Sequence, residues 1–154
     1  MDSVIYRTLL AAALIALGLF AFWAWNKWQL HRLSRGTANR VPGLETLRPA
    51  TAGVLYFTTP DCTVCRTTQR PALEQVAAAL GEAVQVIEVN AAERPAIADH
   101  WGVLSVPTTF IIDTHGQPRR VNHGLTRRDK LMAQLTEFLP ASAIGEPAGQ
   151  LAHK

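Results

Sequence analysis

From Thr8 to Trp25 the chain reads TLLAAALIALGLFAFWAW, a run without a charge, and Val4, Ile5 and Tyr6 extend it beyond Arg7. A helix of about 20 mostly apolar residues spans the hydrocarbon of a bilayer, and a run apolar all round has no polar face to turn to water. The sequence therefore predicts one N-terminal transmembrane helix within residues 1–30. Arg7 would snorkel to the headgroups, and Trp23, Trp25 and Trp28 would form an interfacial belt. A cleaved signal peptide is the competing reading, but no pair of small residues at cleavage spacing follows the run.

Of 154 residues, this leaves room for one domain of roughly 100. Residues 31–50 mix charge with Gly36, Pro42, Gly43 and Pro49 and read as a juxtamembrane linker. Residues 141–154, rich in Ala and Gly, read as a flexible tail. The domain is expected over 51–140.

The net charge of +3 is unevenly spread: residues 1–50 carry six Lys/Arg against Asp2 and Glu45, whereas the remainder holds nine against ten. Basicity thus belongs to the N-terminal segment, and the domain lacks the clustered positive face that nucleic-acid binding needs. Only Arg7 precedes the span, while Lys27, Arg32, Arg35 and Arg40 follow it. The positive-inside rule then predicts a single pass through a bacterial-type plasma membrane with the domain in the cytoplasm. The alternative is an extracytoplasmic, periplasmic domain.

Between linker and tail the pattern alternates. GVLYFT (53–58) predicts a buried strand, and a helix follows from about Cys62 to Leu80, with Leu73, Val76, Ala77 and Leu80 on one face and Gly81 at its end. VQVIEVN (84–90) predicts a second strand, Pro95 to Trp101 a short helix, and TTFIID (108–113) a third strand that turns through Gly116. Arg119 to His123 suits an edge strand, and Thr126 is expected to cap a closing helix to Leu139 whose inner face is Leu131, Leu135 and Phe138. The order β-α-β-α-β-β-α describes an α/β fold, a mixed sheet flanked by helices.

Two cysteines, Cys62 and Cys65, are the full complement, so neither a multi-disulfide scaffold nor a four-cysteine zinc site fits in one chain. His31, His100, His115, His123 and His153 lack ligand spacing, and no metal or organic cofactor is expected. A cysteine at a strand-to-helix junction lies among unpaired backbone N–H groups, which favour thiolate over thiol. Cys62 holds that position. Cys65, one turn on, is close enough for a disulfide but less exposed. Cys62 is thus expected to attack a disulfide and Cys65 to resolve the mixed disulfide.

Over about 90 residues the sequence resembles the thioredoxin superfamily. The matching features are VLYFTTPDC running into CTVC, Arg66 after the second cysteine, Pro71 in the helix, VQVIEVN, and WGVLSVPTTFIIDTHGQ with Gly124 beyond it. The resemblance implies a thioredoxin-like fold and a cis peptide at Pro107 packed beside the dithiol. Val106 would then offer its carbonyl and N–H to an extended substrate chain. Trp101 is expected to pack beneath that loop, and His100 and His123 to be solvated or hydrogen-bonded.

Departures from the family pattern are equally specific. Asp61 replaces the usual Trp before the first cysteine; its carboxylate opposes thiolate at Cys62, while Arg66 favours it. Thr63 and Val64 replace Gly-Pro, Tyr56 replaces a buried acid, Pro71 lies six rather than five residues after Cys65, and the leading strand-helix pair is short or absent. The implied function is a membrane-anchored thiol-disulfide oxidoreductase acting on dithiols or disulfides of partner proteins. The alternatives are a tethered thioredoxin-fold binding module with idle cysteines, an extracytoplasmic protein of cytochrome c maturation or disulfide handling, and two chains sharing zinc through their CxxC pairs.

Overall fold

A computed structural model describes residues 2–33 and 41–139. Helix α1 (Asp2–Leu33) contains a stretch, Ile5–His31, long and apolar enough to cross a membrane, within which the most apolar window has mean hydropathy 2.1 and no buried residue. It continues past the expected boundary at residue 30 because Gln29, Leu30 and His31 meet no helix breaker.

The sheet contains β1 (Ala52–Thr58), β2 (Val84–Asn90), β3 (Thr108–Ile112) and β4 (Pro118–His123), in the order β2-β1-β3-β4. β1 pairs in parallel with β2, Val54 opposite Val86, and antiparallel with β3, Leu55 opposite Phe110. The parallel pair needs a crossover, which α2 (Arg70–Leu80) provides after a short helical lead from Thr63. β4 is an edge strand, as its alternating polar residues require, with an irregularity opposite Ile111 and Ile112. α3 (Pro95–Trp101) and α4 (Arg128–Thr136) complete the mixed α/β architecture.

Period-2 alternation in β1 divides the core. Val54 and Tyr56 join Leu73, Val76, Leu80, Ile111, Leu131 and Leu135 on one side. Leu55 and Phe57 join Ala98, Trp101, Phe110 and Ile112 on the other. Burying each large aliphatic side chain contributes about 1.5–3 kcal/mol, so the apolar face read for α2 is what fixes that helix to the sheet. Gly81 ends it at φ 52°, a left-handed value that suits glycine.

Three expectations are corrected. Residues 41–50, expected to lie in the linker, pack onto the domain: Val41 and Leu44 are buried, and Trp101 Nε1 donates to Pro42 O at 2.6 Å. A Cβ on Gly53 would stand 2.9 Å from Leu47 Cδ1, so the absence of a side chain there admits this segment against β1. Thr126 does not cap α4. It is buried, its N–H donates to Gln69 Oε1 at 2.8 Å, and Arg127 occupies the capping position without a side-chain bond. α4 also ends at Thr136, three residues early, although Leu139 still reaches the core. Residues 34–40 of the linker and the tail from 140 lie outside the described residues.

Candidate active site

β1 ends at Thr58, and the turn through Thr59, Pro60 and Asp61 is closed by Cys62 N–H donating to Thr59 O at 3.2 Å. The helical lead starts at Thr63, so Cys62 stands where the first backbone donors of a helix have no intrahelical acceptor. Cys65 N–H, one of them, donates to Cys62 Sγ at 3.2 Å. A donor aimed at that sulfur favours its thiolate once the pair is reduced.

Cys62 and Cys65 form a disulfide, with Cα atoms 5.2 Å apart. Cys62 is half-buried and Cys65 fully buried, so an incoming sulfur reaches position 62 first.

Beyond the pair the helix is irregular. Cys65–Gln69 form a π-helical turn, with Arg70 N–H donating to Cys65 O five residues back. Such a turn takes up one extra residue, which is the structural counterpart of Pro71 lying six residues after Cys65. The wider turn also accommodates Pro71, whose ring would crowd the carbonyl four residues earlier in a regular helix. Cys65 O accepts a second bond, from Tyr56 Oη at 3.3 Å. Burial holds the Tyr56 phenol above the ordinary tyrosine range, outweighing the opposing hydrogen bond with Thr58, so Tyr56 is a neutral donor where the family pattern has an acid.

Gln69 was missed in the sequence. It is fully buried, and its amide is doubly paired with Thr126, accepting from the backbone N–H and donating to the carbonyl at 3.1 Å. These two bonds tie the cysteine-bearing turn to the loop before α4. The available signal was its spacing: Gln69, Leu73, Val76 and Leu80 fall on one helical stripe, where a polar residue must find a partner.

The Val106–Pro107 peptide is cis. Val106 packs against the same core cluster as Cys62, and Pro107 is buried, its carbonyl accepting from Gly124 N–H at 2.8 Å. No hydrogen bond to another described residue engages the Val106 backbone. Leu104, Val64 and Leu125 are exposed apolar side chains near these positions in sequence. Trp101 is buried against Phe110, with ring centroids 4.7 Å apart, which is the packing role expected of it. Asp61 and Arg66 are exposed and form no ion pair with another described residue, so neither is drawn into a fixed contact at the disulfide. His123 Nε2 lies 3.1 Å from Asn26 Oδ1 of α1.

Comparison with known proteins follows the same segment. The thioredoxin family profile matches residues 45–137. A thioredoxin-like protein of Synechocystis is 33% identical over 69 residues, 45% of this chain and 65% of that protein. Thioredoxin 1 of Synechococcus elongatus is 31% identical over 67 residues, 44% of this chain and 62% of that protein. The matches thus span less than two thirds of either relative. Among solved structures, an uncharacterized thioredoxin-like protein from Clostridium perfringens superposes with a TM-score of 0.54 at 21% identity, covering 72% of this chain and 84% of that one, a likeness of fold.

Proposed function

This chain belongs to the thioredoxin family and carries a disulfide-forming cysteine pair of thiol-disulfide redox type, and on that premise we propose that it is a membrane-anchored oxidoreductase exchanging disulfides with partner proteins. The observation that carries the reading is the inequality of the two sulfurs: Cys62 is accessible and faces a backbone donor, whereas Cys65 is buried behind it.

In the reducing direction, the Cys62 thiolate attacks one sulfur of a partner disulfide, forming a mixed disulfide and releasing the partner's other sulfur as thiolate. Cys65, having lost its proton, then attacks Cys62 Sγ. The mixed disulfide breaks, the partner leaves with both thiols after protonation, and two electrons have passed from the pair, which is left as the Cys62–Cys65 disulfide. An external dithiol restores it. Tyr56 is a neutral donor, so the Cys65 proton passes to water or to the departing thiolate rather than to this side chain. Val106 would align the partner chain through its backbone groups, with Pro107 fixing the bend. Asp61 and Arg66 would act on Cys62 only through space.

α1 would be the anchor, its length and composition supporting a single pass. The cation excess after the span supports a cytoplasmic domain, where the reducing pool would favour reduction of partners. Full-length protein in detergent, assayed for insulin reduction with dithiothreitol, should exceed its Cys62→Ser variant; equal background rates would favour a binding module. Cys65→Ser should trap the physiological partner as a mixed disulfide. Protease added outside intact cells should spare the domain, and its digestion would reverse the orientation.

A further inference from the structure

The last turns of α1 present two adjacent stripes. Phe22, Asn26 and Gln29 meet the domain: the Phe22 ring lies 6.3 Å from that of His123, Asn26 reaches the same imidazole, and Gln29 Nε2 donates to Trp101 O. One position further round, Trp23, Lys27 and Trp28 line an open groove of about 610 Å³ whose opposite wall includes Pro118 and Arg119 at the start of β4.

Tryptophan lines one side of the groove, and Lys27 and Arg119 are the Lys/Arg side chains in its walls. Lys27 Nζ is 5.0 Å from the centre of the Trp23 ring. No Asp or Glu occurs between Asp2 and Glu45, so Lys27 has no carboxylate on its stretch of α1. Arg119 uses Nε to meet Asp113 Oδ2 at 2.7 Å, one of the five donors a guanidinium carries. Thr8 to Trp25 rises about 27 Å as a helix, close to the roughly 30 Å of bilayer hydrocarbon. Lys27 follows immediately, at headgroup depth, where paired tryptophans are also at home.

We propose that this groove seats the headgroup of an anionic phospholipid, with Lys27 and Arg119 facing its phosphate and Trp23 and Trp28 against its glycerol and upper acyl chain. The proposal rests on α1 being a membrane anchor. It gives the domain a fixed seat on the bilayer, because the lipid would bridge α1 to β4 beside the direct contacts of Asn26 and Gln29.

The test uses purified full-length protein in detergent, titrated with phosphatidylglycerol or phosphatidylcholine, with bound lipids counted by native mass spectrometry. Phosphatidylglycerol should be retained preferentially, and Lys27→Glu and Arg119→Gln should each weaken its retention about fivefold. Lys130→Glu, on α4, should leave it unchanged. Insulin reduction by Lys27→Glu at the parent rate would show that the variant is folded. Equal retention of the two lipids by the parent, parent-like retention by both groove variants, or occupation by millimolar inorganic phosphate without lipid preference would overturn the proposal. Flotation with carbonate-washed phosphatidylcholine vesicles tests the anchor separately: a chain that floats yet shows no lipid preference refutes the groove alone, and one that does not float refutes both.

Discussion

The two faces of the sheet solve different problems. On the face of α2 and α4 the core is aliphatic, and buried polar groups run through it: Tyr56 to Cys65 O, Gln69 to Thr126, and Asn122 to Gln134 at 2.9 Å. On the other face, Phe57, Trp101 and Phe110 form a ring cluster with centroids 4.7 to 6.4 Å apart, joined by Val41 and Leu44. The first face holds groups that set the position of the sulfurs. The second supplies bulk apolar burial and, through Trp101, receives Pro42 and Gln29 from the N-terminal side. Substitutions on the disulfide face should therefore alter exchange per folded molecule, and those on the aromatic face should alter how much of the protein is folded.

The largest effect expected is total: Cys62→Ser should reduce insulin turnover to background with the thermal midpoint of the reduced protein little changed. Next in size, Trp101→Ala should cost about 3–5 kcal/mol of stability in a urea titration, removing a buried indole and its bond to Pro42. Exchange rate per folded molecule should stay within about twofold, since Trp101 lies in the core cluster on the opposite face of the sheet from Cys62 and Cys65. A Trp101→Ala protein that is stable but redox-inactive would erase the division between the faces.

Gln69→Leu sharpens it from the other side. The substitution keeps apolar volume but strands the N–H and carbonyl of Thr126, and unsatisfied buried groups cost about 1–3 kcal/mol each. A loss of about 2 kcal/mol accompanied by slower resolution of the mixed disulfide would show that this amide positions the π-helical turn. A stability loss with unaltered resolution would make it merely structural. Tyr56→Phe preserves the ring and removes the hydroxyl that bonds Cys65 O, for which a loss of about 1 kcal/mol in the same urea titration is expected.

Periodic elements were legible from sequence because their signals are local. Val84–Asn90 and Pro95–Trp101 occupy the residues expected of them, and Cys62 and Cys65 meet at the predicted junction. Residues 41–50 were illegible because Gly43 and Pro49 mimic a linker; the packing of Val41 and Leu44 depends on Trp101 and Leu55, distant in the chain. Thr126 has the side chain of a helix cap, yet its backbone N–H and carbonyl are held by the Gln69 amide and α4 starts two residues later, with Arg127 at the capping position. The π-helical turn left only a spacing anomaly at Pro71, since one residue's shift in hydrogen bonding does not change the apolar stripe that follows.

The smallest effect belongs to neither face. Asp113, in the turn between β3 and β4, accepts from His115 and Gln117 N–H through Oδ1 and meets Arg119 through Oδ2. Burial, the largest single influence, raises its pKa. The bonds from Gln117, Arg119 and His115 together with the Arg119 charge outweigh it, and the net pKa lies below the ordinary carboxylate value. A folded-state pKa lower than the unfolded one means that the ionised form stabilises the fold. That contribution is fully present above the unfolded value of about 3.9 and is lost as pH falls through the folded value. Asp113→Asn keeps the Oδ1 acceptor and removes the charge, so at pH 7 it should cost up to about 1 kcal/mol, Arg119 being half-exposed. Urea titrations of parent and variant should converge on acidification, and a gap that persists at pH 2 would assign the turn's stability to hydrogen bonding alone.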